Sequence, residues 1–497
     1  MNPAPRTLPE LLERRALAHG ERTALITGAE RLDFASWQAR SGALAAALHG
    51  AGLRPGDRVA LHHGTAHWTE YAVAFFAVLR AGGVAVPLSD RAAPAAVDHV
   101  LRDAGVRFLL RGADGPAAPA GVTVLTEREA AGHTAPAGPP APAPGDLAQI
   151  LYTSGTTGAP KGVVARHANL THGCTLDDRR RPLRHSEAFL HAFPVGTNAG
   201  QTMLVNAVNA HAACVTAPHF TPSRFLRLLT EHRVGSVFVV PAMAIELLGS
   251  PALAAAGAAG ALDGVRLVGS TAAALPQPVA AGLARAFARA QVVNYYTSTE
   301  AAPAQITLLF DPDRPASPGR PASLADLRVT TPDGRLAAPG EPGELWLRSP
   351  SVPRAYLGDP GSEVFAGRWV RMGDLGRLDE DGFLHLLDRE RDVIKSGAHK
   401  VSTLQVEDAL HAHPQVRDAA AVGVPHPVLG SVVAAAVVAE GELTAAALRA
   451  FLLDRLAAHE LPDTVVFCSA LPRNEAGKVL KRDLRRILTP DHREVHP

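Results

Sequence analysis

The amino-acid sequence predicts an α/β protein in two parts: a large N-terminal domain, residues 1–388, of several subdomains with layered sheets and helices, and a small mobile α+β C-terminal domain, residues 389–497. Three observations carry this reading. The chain has 497 residues, 47% of them hydrophobic, more than a single compact core organises. Strand-like apolar runs alternate with helical patterns over most of its length, as layered α/β folds require. The texture then changes after the charged run Asp388-Arg389-Glu390-Arg391-Asp392, which separates the two parts and makes Glu390 and Arg391 candidate hinge residues.

In chain order, Met1 to Arg15 carries Arg6, Glu10, Glu13, Arg14 and Arg15 and reads as an amphipathic helix without the apolar core of a signal peptide, so no export is expected. Arg58–Leu61 reads as a strand, Tyr71–Ala81 as a helix and Val84–Leu88 as a strand, and the alternation recurs at Val237–Val240 and Leu267–Gly269. Proline-rich Ala135–Gly145 reads as a surface connector. Ala188–Ser223 lacks Lys, Arg, Asp and Glu but is broken by Pro194, Gly196, Asn198 and further polar residues. It is a poor membrane span and fits a buried strand-and-helix region around a pocket. Ala-rich Pro251–Ala261 reads as helix. The C-terminal part offers a helix at Val406–Ala412, strands at Ala419–Val424 and Val432–Val438, and a second helix at Thr444–His459.

Composition narrows the function classes. A formal charge of +1 without a basic block argues against nucleic acid or an acidic membrane as the main partner and for a small molecule. Cys174, Cys214 and Cys468 have no paired or metal-ligand spacing, as expected of reduced thiols in the cytoplasm. Of the 49 basic residues only Lys161, Lys395, Lys400, Lys478 and Lys481 are lysines, so each is a candidate for work that needs a compact point charge.

The most specific string is Tyr152-Thr153-Ser154-Gly155-Thr156-Thr157-Gly158-Ala159-Pro160-Lys161-Gly162, directly after the apolar run Leu147–Leu151. A strand, a Gly/Thr-rich loop and a lysine form a phosphate cradle: glycines allow close backbone approach, amides and hydroxyls donate, and the lysine offsets charge. It is not the usual nucleotide P-loop, because Pro160 and Gly162 flank Lys161 where that motif needs Gly-Lys-Ser/Thr.

With this string, further motifs in order resemble those of the adenylate-forming superfamily of acyl- and aryl-CoA synthetases, peptide-synthetase adenylation domains and luciferases. They include Arg54–Val59, Asn294–Glu300, Gly343–Leu345, Arg371–Leu375, Asp388–Val401 and Pro472–Lys478. The resemblance implies ATP and Mg²⁺ as reaction partners, with CoA as a further co-substrate. It places Thr153 to Gly158 and Lys161 on phosphate, and Thr271, Ala272, Ala273, Asn294, Tyr295 and Tyr296 around adenine. It puts Thr299 at phosphate, Glu300 on the metal, and Asp374 and Arg389 at the ribose or phosphate, a carboxylate suiting a vicinal diol. Lys478 would bridge the acid and the α-phosphate, where two anions must approach one another. Gly397 and Ala398 would line a thiol channel, and Gly196, Thr197, Asn198, Ser270 and Thr297 an acyl pocket.

The implied activity is formation of an acyl-adenylate from a carboxylic acid, followed by transfer to CoA or a carrier-protein pantetheine. A ligase that stops at the adenylate remains open, because Ala398 stands where a glycine is usual, as does a non-catalytic ligand binder. Gly196-Thr197 and Thr297 also depart from the family pattern and suggest a reshaped pocket. The absence of Asp and Glu from Ala188 to Ser223 disfavours a free α-amino acid, whose ammonium would lack a partner.

Overall fold

Strands Val84–Leu88 and Ala188–His191 are buried at every position, the pattern of strands covered on both faces. The computed structural model describes residues 4–112, 121–130, 141–153, 160–314, 319–321, 325–359, 363–397 and 399–489. Among these, the strands form sheets of nine and seven members in the large part, a five-stranded sheet after them, and a five-stranded sheet in the C-terminal part. The helix Trp68–Arg80 is apolar on nearly every side and buried from Tyr71 to Leu79, as a helix wedged between layers must be. One core joins it to Leu25, Phe189 and Cys214 of the nine-stranded sheet and to Val59, Leu61 and Ala85 of the seven-stranded one.

Four pairings position the site. Leu267–Ser270 runs parallel to Gln291–Tyr296 with Ser270 opposite Asn294. Trp369–Leu378 pairs antiparallel with Leu384–Arg389, setting Asp374 opposite Arg389. Leu147–Thr153 pairs with Lys161–Arg166, so Thr153 faces Lys161 across the two ends of the Gly/Thr-rich loop. The short strand Ala355–Tyr356 extends that sheet, with Tyr356 opposite Val163. In the C-terminal part, Val416–His426 and Gly430–Ala439 form a long antiparallel pair flanked by helices Thr403–His411, Ala445–Leu453 and Lys481–Leu488. Among the described residues no single helix is long and apolar enough to cross a membrane.

The strands fall within three residues of expectation, and the helices expected at Tyr71–Ala81, Val406–Ala412 and Pro251–Ala261 are each shifted by three residues at one end, to Trp68–Arg80, Thr403–His411 and Pro251–Ala258; two further helices differ more. The first begins at Leu8, after Thr7, whose hydroxyl accepts from Glu10 N at 3.3 Å, and runs to His19. Its Arg15 is not on a solvent face but only 1% exposed. Its guanidinium donates to Val208 O, Asn209 O and Thr175 O at 3.0–3.1 Å, so it caps the C-terminal carbonyls of the Asn198–Asn209 helix. The helix expected over Thr444–His459 stops at Leu453. Asp454 is its cap, and Glu460 closes a separate turn by accepting from Ala457 N at 2.9 Å. Most of the proline-rich connector, through residue 140, lies outside the described residues.

Arg15→Met strips three buried carbonyls of their donor while keeping the apolar stem. Thermal unfolding followed by circular dichroism is expected to show a melting temperature about 3–6 °C lower.

Candidate active site

The strand Gln291–Tyr296 delivers two neighbouring tyrosines to opposite faces, because successive side chains alternate. Tyr296 donates its hydroxyl to Asp374 Oδ2 at 2.8 Å, and Asp374 Oδ1 lies 3.3 Å from Arg389 Nε. Burial first, and then Asp374, hold the Tyr296 hydroxyl well above its ordinary pKa, so it stays a donor. Tyr295 instead stacks on Phe238, ring centroids 6.2 Å apart, across Gly269. A Cβ at Gly269 would lie 2.7 Å from the Tyr295 ring and 2.8 Å from Phe238, so only glycine fits. The two aromatics grouped around adenine by resemblance therefore face different neighbours.

Ser270 Oγ and Asn294 Oδ1 sit side by side in register, buried, with no protein partner. Buried polar atoms are normally satisfied, so this pair marks a wall that a ligand's polar edge completes. The chain then turns sharply: Thr271 N donates to Val239 O at 3.2 Å, Ala272 takes a left-handed φ of +76°, and Ala273 is exposed.

Glu300 follows the same strand, and Glu300 Oε1 accepts from the Tyr356 hydroxyl at 2.9 Å. The ring of Tyr356 lies 4.9 Å beneath Lys161 Nζ, which links the cradle's lysine to Glu300. Buried Arg354 donates to Thr299 O at 3.0 Å; desolvation lowers it to about 10, while Glu300 pulls the other way. Arg354 and Tyr356 escaped the sequence reading. Scarcity was the available signal, since Tyr295, Tyr296 and Tyr356 are three of only five tyrosines. Ser154, Gly155, Thr156, Thr157 and Gly158 lie outside the described residues.

Lys478 arrives from the C-terminal part on a tight turn. Its N–H donates to Asn474 Oδ1 at 2.9 Å, Gly477 N donates to Asn474 O at 2.9 Å, and Arg473 donates to Gly477 O at 2.7 Å while pairing with Asp418 at 2.6 Å. Gly477 has φ +78°, and a Cβ there would lie 2.8 Å from Val240 Cγ2 of the large part. The ammonium enters a cleft shared with Arg389, Asp374, Glu300 and Arg391. Burial and then Arg389 lower its pKa to about 8 against the pull of Asp374 and Glu300.

Other candidates are engaged elsewhere. The Thr197 hydroxyl caps the Asn198–Asn209 helix, accepting from Gly200 N at 3.0 Å and donating to Pro194 O at 2.9 Å. Gly196 lies against Ser89, whose backbone N is 3.2 Å from a would-be Cβ, so the glycine permits close packing there. Asn198 opens the same helix, half-buried. Thr297 donates its hydroxyl to Ala304 O at 2.6 Å inside its own turn. Exposed Gly397 donates its N–H to Leu429 O at 2.9 Å within the C-terminal part, and Ala398 lies outside the described residues. Glu390 is anchored by its N–H to Gly373 O at 3.1 Å and by an ion pair with Arg371 at 3.2 Å, while Arg391 is exposed, its pKa lowered by desolvation and then by Arg389.

A cleft that joins one lysine, two arginines and two carboxylates from four separated segments has the make-up of a nucleotide-dependent ligase. The AMP-binding enzyme family model matches residues 12–357, and the AMP-binding enzyme C-terminal domain matches residues 405–478. The chain is 34% identical over 493 residues to a feruloyl-CoA synthase from Amycolatopsis, covering 95% of this chain and 97% of that one. It is 30% identical to the long-chain-fatty-acid–CoA ligase FadD13 of Mycobacterium tuberculosis, covering 92% and 93%. Its fold matches ATP-bound MatB from Rhodopseudomonas palustris, with TM-score 0.85, 28% identity and 98% and 100% coverage. It also matches the Bacillus subtilis o-succinylbenzoate CoA synthetase holding its acyl-adenylate, with TM-score 0.81, 27% identity and 96% and 97% coverage. The protein belongs to the AMP-binding enzyme family and is an acid-activating ligase of the acyl-CoA synthetase type.

Gly477→Ala adds a methyl against Val240 at a left-handed position, at about 1–2 kcal/mol of strain. Acid-dependent pyrophosphate release should fall about tenfold, and adding Val240→Ala should recover part of it in a coupled phosphate assay.

Proposed function

We propose that the protein activates a carboxylic acid lacking an α-ammonium group to its acyl-adenylate at the Lys478 cleft and then transfers the acyl group to CoA. The observation that carries this is the convergence of Lys478 with Asp374, Glu300, Arg389 and Arg391. In the first step a carboxylate oxygen attacks the α-phosphorus of ATP, the bond to the β-phosphate oxygen breaks, and pyrophosphate leaves. Lys478 offsets the charge where the two anions meet. Asp374, oriented by Tyr296, accepts from the ribose hydroxyls, and buried Ser270 and Asn294 complete the nucleotide wall. Thr153 and Lys161 stand at the two ends of the phosphate loop.

Glu300 suits Mg²⁺, because it is a hard oxygen donor with one carboxylate oxygen fixed by Tyr356 and the other left for the ion. When bound, that ion neutralises polyphosphate charge. In the second step the CoA sulfur attacks the acyl carbon and AMP departs.

We assign residues 1–388 to the adenylation domain and 389–497 to the mobile domain, with Glu390 and Arg391 at the hinge. Turning about this point carries Lys478 out and brings Gly397 and Ala398 toward the acyl carbon.

The test uses ferulate, hexadecanoate, 2-succinylbenzoate and sulfoacetate with ATP and Mg²⁺, with CoA, with a phosphopantetheinylated carrier protein or with neither, followed by mass spectrometry. Acyl-AMP alone and acyl-CoA on adding CoA are expected; adenylate with no thioester to CoA would overturn the second step. Lys478→Ala should lower acid-dependent pyrophosphate release at least about 100-fold while ATP binding by calorimetry stays within about twofold.

The ammonium is the working form, and its pKa is lowered from 10.5 to about 8. kcat/KM for adenylation, which reports the free enzyme, is therefore expected to decline as pH rises through about 8. In Lys478→Arg, whose charge persists, the residual activity should not show that decline.

A further inference from the structure

The helix Gln277–Ala286 in the large part starts without a capping side chain of its own, because its N-cap is Pro276. Its first free amide, Gln277 N–H, donates instead to Asp408 Oδ1 at 3.2 Å. Asp408 is 131 residues away, on the C-terminal helix Thr403–His411. A carboxylate on an unfilled helix N-terminus gains both a hydrogen bond and a favourable dipole. The preceding residue works inward: Glu407 pairs with Lys481 at 3.0 Å and accepts from Ala421 N at 3.0 Å, both within the C-terminal part. Two adjacent acids thus hold one helix to two different bodies.

The same face of contact carries Gly477 against Val240 and sets Glu246 within electrostatic reach of Arg417 and Arg473. Arg473 is the residue that ties down the Lys478 turn. We propose that Asp408 is a positioning residue for acid activation: by capping a helix of the opposite domain it docks the C-terminal part with Lys478 in the cleft, and this bond must break before the thiol step. This rests on the two-step reading above. Burial, with Glu407 beside it, pushes the Asp408 carboxyl up to about 7 against the pull of the Gln277 amide, as expected of an acid whose water is excluded by the docked domain.

Two variants remove the contact from opposite sides. Asp408→Ala deletes the acceptor. Gln277→Pro deletes the donor at a first helical position that accepts proline, and Pro276 already has the extended ψ of 140° that a residue before proline needs. Asp408→Asn keeps an acceptor oxygen.

The half-reactions are measured separately on full-length enzyme, with the acid among ferulate, hexadecanoate, 2-succinylbenzoate and sulfoacetate that is turned over fastest. Adenylation is read as acid-dependent pyrophosphate exchange, and thioester formation by mixing the synthetic acyl-AMP with CoA without ATP. Asp408→Ala and Gln277→Pro should each lower the kcat of adenylation about tenfold with little change in KM for ATP, and leave thioester formation at the wild-type rate or faster. Asp408→Asn should retain most adenylation.

Equal losses in both half-reactions would make Asp408 merely structural and overturn the proposal, as would unchanged adenylation in both Asp408→Ala and Gln277→Pro. If Asp408→Ala does not fold, Gln277→Pro decides alone, since it leaves the C-terminal part untouched. Wild-type enzyme without acid-dependent exchange would instead defeat the two-step reading.

Discussion

A lysine ammonium placed beside two guanidiniums is repelled unless anions share the space, and the construction of this cleft follows from that balance. Arg389 and Arg391 oppose the charge on Lys478, and Asp374 and Glu300 favour it, so the two carboxylates offset the repulsion among the three cations. Each carboxylate is held in the same way, by a tyrosine hydroxyl bonded to one oxygen: Tyr296 on Asp374 and Tyr356 on Glu300. Orientation of each anion is thus fixed by a neutral donor. Asp374 is braced in addition by Arg389, whose Nε lies 3.3 Å from its other oxygen. Arg354 braces the backbone between these groups at Thr299 O.

None of these residues could be assembled by a single element. Tyr296 and Glu300 come from one edge region of the nine-stranded sheet, Tyr356 from the edge of the seven-stranded sheet, and Asp374 and Arg389 from a paired register in the third. Lys478 comes from a different body, and its contacts with the large part include a glycine pressed on Val240, a carboxylate on a helix end, a few charges, and, beside the hinge, buried Asp388 accepting from the Thr403 N–H and hydroxyl. Polar, modest contacts of this kind suit a domain that must dock and then leave.

The strands and the order of motifs were legible because they are written locally, in runs such as Val84–Leu88 and in strings such as Asn294–Glu300. What the sequence hid was every feature decided by a distant partner. Arg15 looked like one charge among several on an amphipathic helix, yet its position is set by carbonyls 193 and 194 residues away. The packing of Gly196 on Ser89 and the capping of a helix by Thr197 were equally hidden, because neither partner is marked in the local pattern. Tyr356 sits on a two-residue strand, Ala355–Tyr356, and Arg354 just before it, a stretch too short to give a periodic signal. Asp408 looked like one more acid on a C-terminal helix until the Gln277 amide supplied its meaning.

The lysine scarcity now has a physical explanation for three of the five. Lys161 stands over a tyrosine ring, Lys478 is held among mixed charges, and Lys481 bonds to the Thr403 hydroxyl and pairs with Glu407 inside the C-terminal part. Lys481 in particular divides its three donors between two separate acceptors, which a compact ammonium on a flexible stem meets better than a rigid planar fork. Lys478 adds a kinetic requirement that arginine meets poorly. In the two-step reaction proposed above, its group would enter a cleft already holding Arg389 and Arg391, act where two anions meet, and withdraw with its domain. A multidentate guanidinium would bind the phosphate before and after the reaction as strongly as during it. Binding of that kind is uniform across the reaction and does not lower the barrier. A single ammonium, partly desolvated and free to move with its turn, gives the charge where it is needed and releases it.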